Sequence, residues 1–218
     1  METVGVIGGG QMGSQIAALA AMAGYETHVY DSDSENLKSK IKFTEDNLLN
    51  LIDKGRYEKS KLDNFKEHLH SSESIDETIN KKSFVIEAVV ERLDIKLEIF
   101  ENISKKLDEN VVLATNSSFI PASEIAKSCE HPSRFINMHF FYPPIRMDLV
   151  EISYPVETNK ETIERTQTLG KDMGRTVITC KKETPGFIVN RMLAALTDEA
   201  YQLYDEGIAD FKDIDIAI

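Results

Sequence analysis

Three glycines near the N-terminus have the spacing of a loop that binds phosphate groups. Gly8, Gly10 and Gly13 form a G-x-G-x-x-G pattern that follows an apolar run and opens a segment with helical periodicity. In such loops the first glycine permits a tight turn, the second lets the backbone approach a pyrophosphate, and the third lets the helix pack near the strand. The helix N-terminus then faces the anion. The loop, including Gln11 and Met12, therefore predicts a nucleotide site, although a merely flexible glycine loop has the same composition.

A carboxylate at the end of the next predicted strand narrows the choice of ligand. The stretch Glu26–Asp31 reads ETHVYD, and Asp31 lies 18 positions after Gly13, close to the usual spacing of about 20. A carboxylate there accepts hydrogen bonds from the ribose hydroxyls of adenosine and repels a 2′-phosphate. The next three residues include no arginine that could bind such a phosphate. The sequence therefore predicts NAD rather than NADP.

Hydrophobic periodicity predicts the elements that position this loop. Helical spacing is found in Ser34–Lys54, Leu93–Leu107 and Glu161–Met173. Apolar runs typical of strands are found in Ser83–Val90, Val111–Ala114, Arg134–Met138, Leu149–Ile152 and Thr176–Ile178. Strands and helices alternate, which predicts an α/β fold with a Rossmann-type, doubly wound, mostly parallel sheet.

The dipeptide Pro185-Gly186 marks a change in the pattern. A long helix is predicted over Phe187–Tyr204, and Lys212–Ile218 begins another. We expect the apolar side of the long helix to face inward, through Ile188, Met192, Leu193, Leu196, Ala200 and Leu203. We therefore expect an NAD-binding domain over residues 1–184, followed by the start of an all-helical C-terminal domain over residues 185–218.

Composition excludes several classes of function. The 218 residues carry a net charge of −12 and a pI near 4.9, which argues against binding to nucleic acid or to an anionic membrane surface. No apolar run reaches transmembrane length, and strand-like sequence begins at residue 3, so we expect a cytoplasmic protein without a signal peptide. Cys129 and Cys180 lack metal-ligand spacing, so free thiols and no metal site are expected.

Further motifs follow in order along the chain. They are VIGGGQMGSQIA, Glu87-Ala-Val-Val-Glu91 with Lys96 and Phe100, Ala114-Thr-Asn-Ser-Ser118, His139-Phe-Phe, Leu149-Val-Glu151 and Thr184-Pro-Gly-Phe-Ile-Val-Asn190. Together they resemble the L-3-hydroxyacyl-CoA dehydrogenases, including the bacterial 3-hydroxybutyryl-CoA dehydrogenases, over nearly the whole chain. The resemblance implies reversible, NAD-dependent oxidation of an L-3-hydroxyacyl-CoA of short chain to the 3-oxoacyl-CoA.

The resemblance also implies a general acid–base pair. His139 matches the catalytic histidine of the family, and Glu151 matches the glutamate that hydrogen-bonds it. Oxidation of a secondary alcohol requires removal of the hydroxyl proton as hydride leaves the same carbon, and imidazole titrates near neutral pH. A carboxylate on the second ring nitrogen would fix the tautomer and stabilise the imidazolium.

Other positions match residues with roles in the family. Ser118 and Asn190 match neutral groups that contact the substrate and take part in catalysis, and Ser118 also lies near the cofactor. Glu91, Lys96 and Asn116 match positions near the cofactor, and Lys54 matches a lysine that contacts coenzyme A. Taken alone, Ser118 is typical of a strand-end cap and Asn190 of a polar residue in the first turn of a helix. Glu91 and Lys96 are typical of solvated surface charges. Asn116 is typical of a turn, and Lys54 of an exposed helix end.

The sequence departs from the family at three places. It has NSSF around Ser118 instead of NTSS, and Tyr142 stands where an asparagine normally lies near the nicotinamide. The chain stops at Ile218, soon after the first helix of the domain that forms the homodimer in the family, so we expect a C-terminally truncated member. Two alternatives stay open: a dehydrogenase of free hydroxy acids of the carnitine or gulonate type, or an NAD-binding module that is inactive without its missing domain.

Overall fold

The central element of the fold is one mixed sheet, seen in a computed structural model that describes residues 2–218. Within that range the strands are Thr3–Ile7 (β1), Glu26–Tyr30 (β2), Leu69–Ser71 (β3), Phe84–Glu87 (β4), Val112–Thr115 (β5), Phe135–Phe140 (β6), Leu149–Ser153 (β7) and Thr176–Thr179 (β8). Their order is β3-β2-β1-β4-β5-β6-β7-β8. Strands β1 to β6 are parallel, β7 runs antiparallel to β6, and β8 is parallel to β7. The predicted doubly wound, mostly parallel sheet is confirmed.

Within residues 2–218, seven α-helices lie between the strands along the chain, and two more follow the last strand. They are Gly13–Met22 (α1), Ser34–Asp53 (α2), Ser60–His68 (α3), Ile75–Ile79 (α4), Leu93–Ser104 (α5), Ala122–Ala126 (α6), Lys160–Asp172 (α7), Val189–Asp205 (α8) and Phe211–Ala217 (α9). Several begin at residues whose side chains cap the first turn. Asp33 accepts a hydrogen bond from Asn36 N, and Asn159 accepts one from Thr162 N.

The core lies on both faces of the central strands. Every residue of β4, β5 and β6 is buried, as expected for strands that helices cover on both sides. Helix α1 is also buried along its whole length, and its run of alanines and Gly13 allows it to pack close to the sheet. The glycine loop is therefore held between two buried elements.

Two strand boundaries differ from the sequence prediction in ways that affect the site. Strand β4 ends at Glu87 instead of Val90, because the Glu87 carboxylate accepts a hydrogen bond from Val89 N and the chain turns away from the sheet. Strand β6 continues to Phe140 and so contains His139. The histidine therefore projects from a rigid strand and not from the irregular loop that follows it.

The prediction that the apolar side of α8 faces inward is wrong. No residue of this helix is buried, and Met192, Leu193 and Leu196 are 67%, 53% and 46% exposed. Periodicity identifies an apolar face but not whether another element covers it. Within residues 2–218, α9 packs beside α8 and leaves most of that face open. Among the described residues, no helix is both long and apolar enough to cross a membrane.

Candidate active site

The glycine loop joins β1 to α1 and forms one wall of a cleft of about 660 Å³. Gly8 has a φ of +95°, and a Cβ there would lie 2.7 Å from Ala88 O. A Cβ on Gly13 would lie 1.7 Å from Gly8 O, so only glycine allows this contact between helix and loop. By contrast, a Cβ on Gly10 would meet no atom within 4 Å. The open side of Gly10 leaves room for a group that needs close approach to the backbone, as a pyrophosphate does.

Asp31 lies at the carboxyl end of β2 and lines the same cleft. Its Oδ2 accepts a hydrogen bond from Gly9 N at 2.8 Å, and its Oδ1 accepts one from Asp33 N at 2.9 Å. Each carboxylate oxygen can accept a further bond. Asp31 therefore both fixes the glycine loop and retains acceptor capacity for the hydroxyls of a ribose. Gln11 and Met12 also line this cleft.

A second cleft, of about 310 Å³, opens beside the first. Its lining includes Met12, Asn116, Ser118, Phe119, His139, Tyr142 and Asn190. Met12 belongs to both clefts, so a dinucleotide that begins at Asp31 can continue past the glycine loop toward His139. Cofactor sites of this fold lie at the carboxyl ends of the strands, which is where both clefts are found.

His139 and Glu151 form a buried pair at the base of the second cleft. Nδ1 of the histidine lies 3.2 Å from Oε2 of the glutamate, and the two side chains are 3% and 0% exposed. Oε1 of Glu151 accepts hydrogen bonds from Ile188 N and Val189 N, where α8 begins. Because both carboxylate oxygens are engaged, the imidazole faces a fixed partner, and Nε2 is the nitrogen left for a ligand in the cleft.

Burial lowers the pKa of His139 below its usual value, while hydrogen bonding and charge from Glu151 act in the opposite direction. The net shift favours the neutral imidazole, which is the form that accepts a proton. Phe141 and Phe187 pack against the ring, with centroids 4.5 and 5.2 Å away. These aromatic rings supply the apolar surroundings that cause the shift.

The neutral polar residues predicted from the motifs lie at the same cleft. Ser118 follows β5, Asn190 lies in the first turn of α8, and both line the cleft with His139. The Asn116 side chain accepts a hydrogen bond from Phe140 N and so joins the ends of β5 and β6. Two strand ends and one helix start therefore bring together residues that are far apart in the sequence.

The charged residues predicted near the cofactor have different positions. Glu91 accepts hydrogen bonds from Ser117 Oγ, Ser118 N and Phe119 N, so its carboxylate faces the loop after β5. Lys96 is 1% exposed and its Nζ lies 2.7 Å from Glu87 Oε1. Lys54 is exposed at the end of α2 and lines neither cleft. Glu91 and Lys96 therefore lie beside the loop after β5 and the end of β4, and Lys54 lies at neither cleft. The cofactor and coenzyme A contacts of these three residues stay predictions.

Two supporting residues were not identified from the sequence. Glu87 is completely buried in an otherwise apolar strand, and a charge in such a run signals a buried partner. Gln15 accepts a hydrogen bond from Ile145 N and donates one to Gln11 O, which links α1 to the loop after β6. A long polar side chain on a helix of mostly small and apolar residues was the available signal. In the part of the chain that the structure describes, no group of three or more His, Cys, Asp or Glu residues is arranged to hold a metal ion.

Comparison with known proteins gives consistent matches. The chain matches the family profile described as 3-hydroxyacyl-CoA dehydrogenase, NAD binding domain, over residues 3–184, and the C-terminal domain of the same family over residues 186–218. It is 36% identical to the mitochondrial hydroxyacyl-coenzyme A dehydrogenase of Sus scrofa over 100% of this chain and 71% of that protein. It is 32% identical to the 3-hydroxybutyryl-CoA dehydrogenase of Clostridioides difficile over 98% of this chain and 75% of that protein.

Solved structures show the same similarity. The crystal structure of (S)-3-hydroxybutyryl-CoA dehydrogenase from Ralstonia eutropha matches with a TM-score of 0.91 and 32% identity. That match covers 98% of this chain and 75% of the other. Similarity in sequence and in fold therefore extends over nearly all the residues that form and support both clefts.

Proposed function

The chain belongs to the 3-hydroxyacyl-CoA dehydrogenase family of NAD-dependent oxidoreductases, and we propose that it oxidises a short-chain L-3-hydroxyacyl-CoA, such as 3-hydroxybutyryl-CoA, reversibly to the 3-oxoacyl-CoA. The observation that carries this proposal is the buried His139–Glu151 pair. It lies at a cleft that meets the nucleotide cleft at Met12.

The residues around the first cleft fit the cofactor. Gly10 leaves space for the pyrophosphate, Gly13 brings the start of α1 close to it, and Asp31 offers acceptors to the adenosine ribose. When bound, NAD supplies the acceptor for the hydride that leaves C3 of the substrate. Because both clefts include Met12, the reacting end of the cofactor would lie beside His139.

His139 acts as the general base of the oxidation in this proposal. Its pKa is lowered by burial, so the neutral ring is available to take the hydroxyl proton on Nε2. Glu151 holds the opposite nitrogen at 3.2 Å and stabilises the imidazolium once the proton has been transferred. In the reverse direction the imidazolium returns the proton to the oxygen of the 3-oxo group.

Ser118 and Asn190 orient the substrate in this proposal. Both are neutral hydrogen-bonding groups at the same cleft as His139. They can bind the C3 oxygen and the thioester carbonyl without placing an unpaired charge beside the nicotinamide. Asn116, joined to Phe140 N, completes the polar side of the cleft.

We assign residues 1–184 to the NAD-binding domain and residues 185–218 to the helical C-terminal domain. We also propose a cytoplasmic location, and a homodimer formed through the C-terminal helices. The exposed apolar face of α8 supports the dimer, because a face of this kind is typical of a surface that another helix covers.

The test is oxidation of NADH by the purified chain with acetoacetyl-CoA, compared with free acetoacetate and other free 3-oxo acids. We expect turnover of the CoA thioester. Turnover of a free acid alone would favour the carnitine- or gulonate-type activity, and Lys54 would then have no role in binding coenzyme A. Binding of NADH without any turnover would favour an NAD-binding module.

A further inference from the structure

A buried ion pair lies behind the catalytic cleft. Glu87, at the end of β4, is 0% exposed, and Lys96, in α5, is 1% exposed. Lys96 Nζ lies 2.7 Å from Glu87 Oε1. Burial of two charges costs free energy unless they are paired and their remaining hydrogen-bonding capacity is satisfied. The contacts of the remaining atoms therefore show what this pair supports.

The second oxygen of Glu87 connects to the loop after β5. Thr115 Oγ1 donates a hydrogen bond to Glu87 Oε2 at 2.7 Å, and the same hydroxyl accepts one from Ser117 N at 3.2 Å. Because a hydroxyl has a single hydrogen, the donation to Glu87 leaves its lone pairs free to accept from Ser117 N. The buried carboxylate thereby fixes the first residue of the loop Ser117–Ile120.

Lys96 connects to the same loop by a second route. Its Nζ lies 3.4 Å from Glu91 Oε2. Oε1 of Glu91 accepts hydrogen bonds from Ser117 Oγ at 2.6 Å, Ser118 N at 2.9 Å and Phe119 N at 3.0 Å. Successive backbone amides directed at one anion form a concave nest that sets the backbone conformation. One carboxylate oxygen therefore holds the segment that carries Ser118.

We propose that Glu87, Lys96, Glu91 and Thr115 form a positioning network that holds Ser118 at the catalytic cleft. The inference rests on the proposed function, since it takes Ser118 as a substrate-binding group. The network does not contact the reacting atoms itself. It acts through the loop Ser117–Ile120, whose residues Ser118 and Phe119 line the cleft.

The network also has an electrostatic consequence. It contains two carboxylates and one ammonium, so it carries an excess negative charge. The carboxylate charges that act on His139 are Glu151 from β7 and Glu91 from the turn after β4, and both raise its pKa against the effect of burial. Loss of the Glu91 charge should therefore lower the pKa of His139, an effect that a purely structural role would not produce.

The experiment compares Glu91→Ala and Glu91→Gln in the full chain, with Glu98→Gln on the exposed side of α5 as the matched control. Three quantities are measured: amide hydrogen exchange at Ser118 and Phe119 by NMR, the Kd of NADH by fluorescence titration, and kcat with acetoacetyl-CoA. In Glu91→Ala we expect amide exchange at least about tenfold faster and kcat at least about tenfold lower. The Kd of NADH measures separately any direct contact of Glu91 with the cofactor. Because reduction of acetoacetyl-CoA needs protonated His139, Glu91→Gln should also move the alkaline limb of the kcat profile to lower pH.

Several outcomes would overturn the proposal. One is unchanged exchange in Glu91→Ala. Another is unchanged kcat in Glu91→Ala despite faster exchange, because the loop would then not position Ser118 for the reaction. If Glu91→Ala does not fold, Thr115→Val tests the network, because it removes only the hydroxyl that links Glu87 to Ser117 N. Faster amide exchange at Ser117 in this variant, restored to the parent rate in Thr115→Ser, supports the network. Unchanged exchange at Ser117 refutes it. If the unaltered chain does not turn over acetoacetyl-CoA, the proposed function fails, and exchange still decides on the network.

Discussion

His139 and Glu151 are register partners across the antiparallel pair of β6 and β7. Residues directly opposite in an antiparallel pair project from the same face with Cβ atoms about 4.5–5.5 Å apart. The distance of 3.2 Å between Nδ1 and Oε2 therefore follows from the strand pairing and does not depend on a loop. The start of α8 fixes the other carboxylate oxygen through two backbone amides. Strand and helix together set the orientation of the ring.

Glu151→Gln tests how this pairing sets the pH dependence. Oxidation needs neutral His139, so its rate falls as pH drops through the pKa of the imidazole. The Glu151 charge raises that pKa, so its removal should move the acidic limb of kcat/KM to lower pH. We also expect kcat to fall about 10–100-fold, because glutamine supports the imidazolium less well. The measurement is a pH profile of 3-hydroxybutyryl-CoA oxidation, with Glu157→Gln on the exposed turn after β7 as control. A limb that moves to higher pH would contradict the assignment.

His139→Gln tests the general base separately from cofactor binding. Glutamine cannot take the hydroxyl proton, and general acid–base catalysis contributes roughly 10²–10⁴-fold to the rate. Turnover should fall by that factor while the Kd of NADH stays unchanged, because Asp31 and the glycine loop lie in the neighbouring cleft. Stopped-flow turnover and fluorescence titration measure the two quantities. An unchanged rate would remove His139 from the mechanism.

The sequence predicted the fold where its pattern depends on local burial. Fully buried strands such as β4 appear as continuous apolar runs, and the glycine spacing with Asp31 identified the nucleotide cleft. Strand direction has no such signal. The runs that became β6 and β7 gave no indication that the two strands are antiparallel, so the opposition of His139 and Glu151 followed from the family resemblance and not from periodicity.

Supporting contacts were the other part that the sequence could not provide. Glu87 and Lys96 are nine positions apart and belong to different elements, so nothing in the local pattern pairs them. The sequence likewise could not predict whether another element covers the apolar face of α8. Its apolar spacing was recognised correctly, but burial depends on what packs beside a helix, and none of its residues is buried.

Asp31→Asn tests the choice of NAD over NADP. Asparagine keeps one oxygen that can accept from Gly9 N, so the glycine loop should retain its shape. The exposed Asp33 N loses its acceptor and binds water instead. The negative charge that repels a 2′-phosphate is also lost. We expect the preference for NADH over NADPH to fall by about tenfold, which corresponds to about 1.4 kcal/mol. The Kd values of both dinucleotides give the ratio. Asp33→Asn, two residues on at the start of α2, is the control for loss of charge alone, and an equal shift in that variant would argue against a specific role for Asp31.

Gly10→Ala and Gly13→Ala test the separate tasks of two loop glycines. A Cβ on Gly10 meets no atom, so Gly10→Ala should keep the Tm of the parent while NADH binds at least about tenfold more weakly, because the methyl group occupies the approach of the pyrophosphate. A Cβ on Gly13 would lie 1.7 Å from Gly8 O. Gly13→Ala should therefore lower the free energy of unfolding by about 3 kcal/mol or more. Thermal unfolding and NADH titration of both variants check the contrast, and equal Tm values would refute it.

Lys96→Met tests the energetic role of the buried ion pair. Methionine fits the space of the lysine chain, but the Glu87 carboxylate is then left buried without its cation. Removing one partner of a buried pair costs about 3–5 kcal/mol, so the free energy of unfolding should fall by that amount in urea titrations. Lys127→Met, which breaks the exposed pair with Glu124, should change it little. Because the cost comes from the uncompensated charge, Lys96→Met combined with Glu87→Gln should recover a large part of the loss. If the double variant is instead as unstable as the sum of the two single variants, the two residues do not act as a pair.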